Sequence, residues 1–268
     1  MKTKIIHNKL YIFRYNVLFL LAFTCLSTVY AEELITINPD STYKRANDAY
    51  FASDYSTAID LYKKLIQEDF ESAELYFNMG NAYYKQNYLP LAILYYEKAK
   101  RIKPNDEAIN YNLQLVNTFK VDQIEELPEF FLKTFVKNFV LLMSFETWGY
   151  LSITFFALCI IFVLIYLFTS KIGFKKTSFI LVIILFFFSI VSFTFAHQRF
   201  RFQISDSEAI ITIQSVTLKG SPDESGTELF VLHEGTKVSI EDEIGDWYEI
   251  RISDGNKGWM KKSDLEII

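Results

Sequence analysis

Two stretches without a single charged residue, Trp148 to Phe168 and Ser178 to Ala196, constrain this chain more than any other feature. Each is about 20 residues long, enough for a helix to cross ~30 Å of hydrocarbon, and a helix satisfies every backbone polar group internally. They are read as transmembrane helices over residues 147–169 and 178–197. The intervening loop, residues 170–177, holds Lys171, Lys175 and Lys176, which places it on the cytoplasmic side by the positive-inside rule and both flanks outside. Arg199 and Arg201, just beyond the second run, work against that asymmetry. No Asp, Glu, Lys, Arg or His lies inside either run, so neither a proton relay nor an ion path is indicated.

The remainder must be water-soluble. A content of 51% hydrophobic residues is high for a soluble protein, yet 22% charged residues is too many for a polytopic transporter. A net charge of -5 lacks the basic footprint that displaces counterions from phosphates, so nucleic acid is not an expected partner. Both cysteines, Cys25 and Cys159, fall in apolar runs, which leaves no disulfide framework and no paired metal ligands.

Lys2, Lys4, Lys9 and Arg14 precede the apolar run Val17 to Leu26, and Val29-Tyr30-Ala31 supplies a cleavage site. Residues 1–31 read as a signal peptide. Two other readings stay open: an uncleaved anchor, and lipid modification at Cys25. A translocated N-terminus followed by two spans again leaves both flanks outside.

Residues 40–120 contain an internal repeat with a period of about 33 to 34 positions. In the second copy Tyr76, Met79, Gly80 and Tyr83 share one face of a first helix, while Ala92, Tyr96 and Ala99 share one face of a second that Pro104 ends. Small Gly80 and Ala92 let the helices approach, and the tyrosines fill the seam. This pattern resembles the tetratricopeptide repeat. The first copy is weaker, with Ala46 and Asn47 where leucine and glycine are usual; Tyr50, Ala58, Tyr62 and Leu65 continue it after a turn one residue shorter. A helix from Glu107 to about Phe119 is read as a cap.

The resemblance implies a concave groove built from the first helices, with Asp48, Phe77, Asn81, Tyr84 and Lys85 facing it as protein-binding candidates. A carboxylate clamp is not expected there: Lys44 and Asn78 fit its pattern, but Asp48, Ala108 and Asn112 replace its other members. The alternative for the groove tyrosines is ordinary repeat packing.

In residues 128–145, Glu129, Lys133 and Lys137 recur every four positions against Phe130, Phe131, Phe135, Phe139 and Val140. That spacing predicts an amphipathic helix in the membrane interface, or else one packed on the repeats. From Ser207 to the last residue, 268, short alternating apolar runs are punctuated by Gly220-Ser221-Pro222, His233-Glu234-Gly235, Gly245-Asp246 and Asp254-Gly255-Asn256. The strands around Gly245 to Ile250 and Gly258 to Met260 resemble bacterial SH3 domains, an all-β barrel. In that family an aromatic surface binds peptides or wall material, which marks Trp247, Tyr248 and Trp259; a barrel this small is expected to bury at least one tryptophan.

The sequence holds no catalytic fingerprint and only three histidines: His7 in the leader, His197 beside a span and His233 in a turn. The expectation is a non-enzymatic chain without cofactor or metal. Its organisation, and the linker NYNLQLVNTFKVDQIEELPEFF from Asn110 to Phe131, resemble BatE-type proteins of the bacterial aerotolerance operon. That resemblance implies an inner-membrane scaffold with both soluble domains on the periplasmic side, meeting von Willebrand-type domain proteins and an AAA ATPase system. The competing reading is a receptor that senses or anchors to peptidoglycan through the SH3-like domain.

Overall fold

A computed structural model describes residues 39–125, 127, 130–204 and 207–268; the leader segment 1–31, with Cys25, and Glu129 lie outside them. The repeats form helices α1 (Pro39–Phe51), α2 (Tyr55–Gln67), α3 (Ala73–Lys85) and α4 (Leu89–Ile102), followed by the cap α5 (Glu107–Asn117). Side chains that accept from the first free amides start three of them: Asp54 from Thr57, Ser72 from Leu75, and Asp106 from Ala108 and Ile109. The turns inside the two repeats each contain one residue at positive φ, Ser53 and Asn87, at equivalent positions.

The first helices of the two repeats begin and end 34 positions apart and the second helices begin 34 apart, so the first repeat carries no shortened turn. Ala46 occupies the place of Gly80, and both are buried. A Cβ on Gly80 would lie 2.7 Å from Cδ1 of the buried Tyr96 ring, so a glycine here is required by the approach of α3 to α4. Ala46, Ala58, Tyr62, Met79, Ala92 and Tyr96 form one core across both repeats.

The short helix α6 (Phe131–Leu141) crosses the start of a long antiparallel hairpin, α7 (Phe145–Phe168) and α8 (Ile172–Ile204). It is shorter than residues 128–145 because Ser144 caps α7, accepting from Thr147 N–H. The hairpin closes through a reciprocal pair, in which each of Ser152 and Ser189 donates from its hydroxyl to the other's carbonyl at 3.0 Å. Such hydroxyl-to-backbone bonds suit apolar surroundings. Both hairpin helices are long and apolar enough to cross a membrane, and only 11% of the most apolar stretch of each is buried. A helix serving as a soluble core would be covered.

The expected loop at 170–177 shrinks to Thr169, Ser170 and Lys171: α8 begins at Ile172 and takes in Lys175 and Lys176, both good helix formers. At its other end α8 runs past 197 to Ile204, since nothing between Ala196 and Ile204 breaks a helix, so Arg199 and Arg201 are helical. Trp148 Nε1 donates to the Val140 carbonyl at 3.1 Å, and Asn105 Nδ2 donates to the Leu141 carbonyl at 2.9 Å. Helix α6 therefore bridges hairpin and repeats, while Phe130, Phe131 and Phe135 stay exposed.

The C-terminal region is a seven-stranded antiparallel sheet in the order β3-β2-β6-β5-β4-β1-β7. Its strands are β1 (Glu208–Ile211), β2 (Ser215–Lys219), β3 (Glu228–His233), β4 (Lys237–Ile244), β5 (Trp247–Arg251), β6 (Lys257–Lys261) and β7 (Leu265–Ile267). Ala209, Ile211, Leu218, Val238, Ile250 and Met260 fill its inside. Ile210 and Ile268 instead join the core of the repeats, so the barrel is packed onto them.

Gly80→Val should overpack the seam and cost about 1–3 kcal/mol. Hydrogen exchange on the full-length chain should then show lost amide protection in α3 and α4 and retained protection in β5 and β6.

Candidate protein-binding surfaces

A hydrogen-bonded triad recurs at the seam of each repeat. In the first, Tyr62 Oη donates to Asn47 Oδ1 at 2.6 Å and Asn78 Nδ2 donates to the same oxygen at 3.1 Å. In the second, each member 34 positions on, Tyr96 Oη donates to Asn81 Oδ1 at 2.7 Å and Asn112 Nδ2 donates to it at 2.9 Å. Burial pushes the Tyr62 and Tyr96 phenols above their usual range, so both stay neutral donors. Each half-buried asparagine carbonyl is thereby satisfied twice.

This geometry redistributes the sequence-derived groove set. Asn81 spends its carbonyl on the triad, and Phe77 lays its ring 5.7 Å from that of Tyr96. Asp48 stands at the repeat position of fully buried Ala82; the counterpart of Asn81 is Asn47, a frame error that follows from assuming a shortened first turn. Tyr84 is half-buried against the core and Lys85 is exposed. Asn78, the best match to a carboxylate clamp, donates to Tyr43 Oη at 2.9 Å as well as to Asn47.

On the barrel, Tyr248 lies opposite buried Met260 and packs toward the inside. Trp247 lies opposite Lys261, and Trp259 opposite Glu249, so both tryptophans face outward and are half-buried. The expectation of a core tryptophan is corrected: aliphatic residues fill the interior, with Tyr248 as its aromatic at this edge. The Lys261 ammonium lies 6.0 Å from the Trp247 ring, and that of Lys262 5.0 Å from the Tyr248 ring.

The joint between the modules was not visible in the sequence. Asp122, three residues beyond Phe119, reaches the turn between β3 and β4: its carboxylate accepts from His233 N–H at 2.7 Å and Thr236 Oγ1 at 2.8 Å, and lies 2.8 Å from His233 Nδ1. Burial acts to raise the Asp122 pKa, but these hydrogen bonds and the histidine together hold it below the usual carboxylate range. In the same turn Gly235, at positive φ, backs onto Ile93 of α4; a Cβ there would lie 2.9 Å from Ile93 Cδ1. Lys237 Nζ pairs with Glu97 of α4 at 3.1 Å and Glu208 at 2.9 Å. Burial acts to lower the pKa of Lys237, and the two carboxylates more than offset it, leaving it raised.

The comparisons with known families fall on these modules. Residues 215–266 match the bacterial SH3 domain, residues 73–106 a tetratricopeptide repeat, and residues 48–87 a TPR repeat model. No curated protein matches the chain. Among the described residues, no group of three or more His, Cys, Asp or Glu could hold a metal ion.

Asp122→Ala leaves the His233 amide and the Thr236 hydroxyl without their acceptor, and should cost about 1–3 kcal/mol at neutral pH. A carboxylate with a lowered pKa stabilises above its unfolded pKa and loses that contribution as pH falls through its folded value. The melting-temperature gap between wild type and variant should therefore close below about pH 4.

Proposed function

We propose that the chain is a membrane-anchored adaptor that presents one rigid, composite binding surface to partner proteins and carries out no reaction of its own. The observation that carries this reading is the antiparallel hairpin with repeats and barrel packed together at one end of it. A hairpin whose two flanks meet in a shared core has both soluble modules on the same side of any membrane it crosses. The lysines beside the hairpin turn, and the reading of residues 1–31 as a signal peptide, support the outer side of a bacterial inner membrane. The resemblance to BatE-type proteins points to an envelope stress complex of the aerotolerance kind, with von Willebrand-type domain proteins and an AAA ATPase system as partners.

Exposed Asp48 and Lys85 and half-buried Tyr84 are the residues of the groove set that remain to meet a partner. A second reading has an observation of its own: the outward tryptophans Trp247 and Trp259 on adjacent strands suit a wall-peptide or glycan surface. In that case the barrel leads and the repeats hold it at a fixed height.

Crosslinking of intact cells with a membrane-impermeant reagent, followed by identification of the captured chains, tests the proposal. Partner proteins should be captured by wild type and depleted in Tyr84→Ala/Lys85→Ala, with Trp247→Ala/Trp259→Ala leaving capture intact. Capture by a permeant reagent alone would refute the outward placement, and peptidoglycan retention lost only in the tryptophan variant would favour the second reading.

A further inference from the structure

A cavity of about 540 Å³ opens where α4 with its following turn, α5, α6, the end of α8 and the barrel strands β1, β4 and β5 converge. Its wall carries Lys100, Arg101, Lys137, Lys237 and Arg251. The two carboxylates that join them, Glu97 and Glu208, are both engaged by Lys237. Arg251 pairs with Glu241, whereas Lys100 and Lys137 have no ion pair among the described residues. Arg101 donates from Nη1 to the Ile268 main-chain oxygen, and only its buried Nε lacks a partner among them. The chain as a whole is acidic at -5, so this local surplus of cations runs against the rest of the molecule.

We infer that this cavity binds a phosphate-bearing anion. Its volume is in the range of small-ligand sites, and a phosphate oxygen is the acceptor that converging ammonium and guanidinium groups select. Its position narrows the source. Lys137 on the polar side of α6 lines the cavity, while Phe131 and Phe135 of the same helix are exposed, and Phe202 near the end of α8 closes the wall. The site thus lies where an interfacial helix meets the end of an apolar hairpin, at the depth of lipid headgroups. This placement rests on the membrane-spanning reading above; the chemistry of the cavity does not. Lipid bound here would touch repeats, hairpin and barrel together.

The test uses the full-length chain in nanodiscs of phosphatidylcholine with and without phosphatidylglycerol, with retained lipid counted by native mass spectrometry, and a parallel titration with inorganic phosphate in zwitterionic detergent. Wild type should retain phosphatidylglycerol, Lys100→Gln/Lys137→Gln should retain it about tenfold less, and Lys100→Arg/Lys137→Arg should restore it. Lysine-dependent phosphate binding without phosphatidylglycerol retention would support the anion site and assign it to a soluble ligand. Equal binding of both probes by wild type and the glutamine pair would overturn the inference. A chain that fails to enter phosphatidylcholine nanodiscs would count against the membrane reading alone, with the detergent titration still deciding the cavity.

Discussion

Helix α4 is apolar around most of its circumference, and the architecture follows from covering it. Ala92, Ile93, Leu94 and Tyr96 are all buried, though successive positions point in directions about 100° apart. An ordinary second helix of a repeat buries one stripe against its own pair and the next. Here α3 and α5 cover two sides, and the barrel turn at Gly235 covers Ile93 on the third. The helix end is covered as well: Arg199, almost wholly buried on α8, donates from Nη2 to the carbonyls of Arg101 and Ile102 at 3.0 Å each. A guanidinium at the C-terminal end of a helix satisfies orphan carbonyls and complements the helix dipole. Repeats, barrel and hairpin therefore share one helix.

Much of this was legible in the sequence, because it rests on local periodicity. The 34-residue spacing, the role of Gly80 beside Tyr96, the apolar hairpin and the turn-rich barrel all declare themselves within windows of a few dozen residues. The misreadings have physical causes. Asp48 entered the groove set because Asn47 was matched to the position that Gly80 fills, although it is Ala46 that provides the small residue there. A small barrel's need for bulk predicts at least one buried tryptophan, yet Ile250, Met260 and Leu218 supply that bulk. Lysines near Ile172 suggested a loop by charge, though lysine extends a helix readily.

The joint between modules was illegible for a different reason. Asp122 and His233 lie 111 positions apart, and Arg199 and Arg101 98 apart, with no pattern in either segment to announce the other. A turn histidine, a linker aspartate and an arginine after an apolar run each have an ordinary solvent-exposed explanation when read singly. Their joint meaning arises only once the barrel is docked on α4. The same docking creates the cationic cavity, whose wall is drawn from segments spread between Glu97 and Ser253.

For an adaptor, a shared core has a functional consequence: a partner bound at the repeats meets the barrel at a fixed distance and angle, and both are fixed relative to the hairpin. Independent modules on flexible tethers would impose no such geometry. Pulsed dipolar spectroscopy measures this directly, with spin labels at Lys85→Cys on the repeats and Glu224→Cys on the barrel, in a full-length background lacking Cys25 and Cys159. A single narrow distance distribution is the result that a barrel docked on α4 predicts; a broad distribution, with the repeats and barrel each still folded, would contradict it.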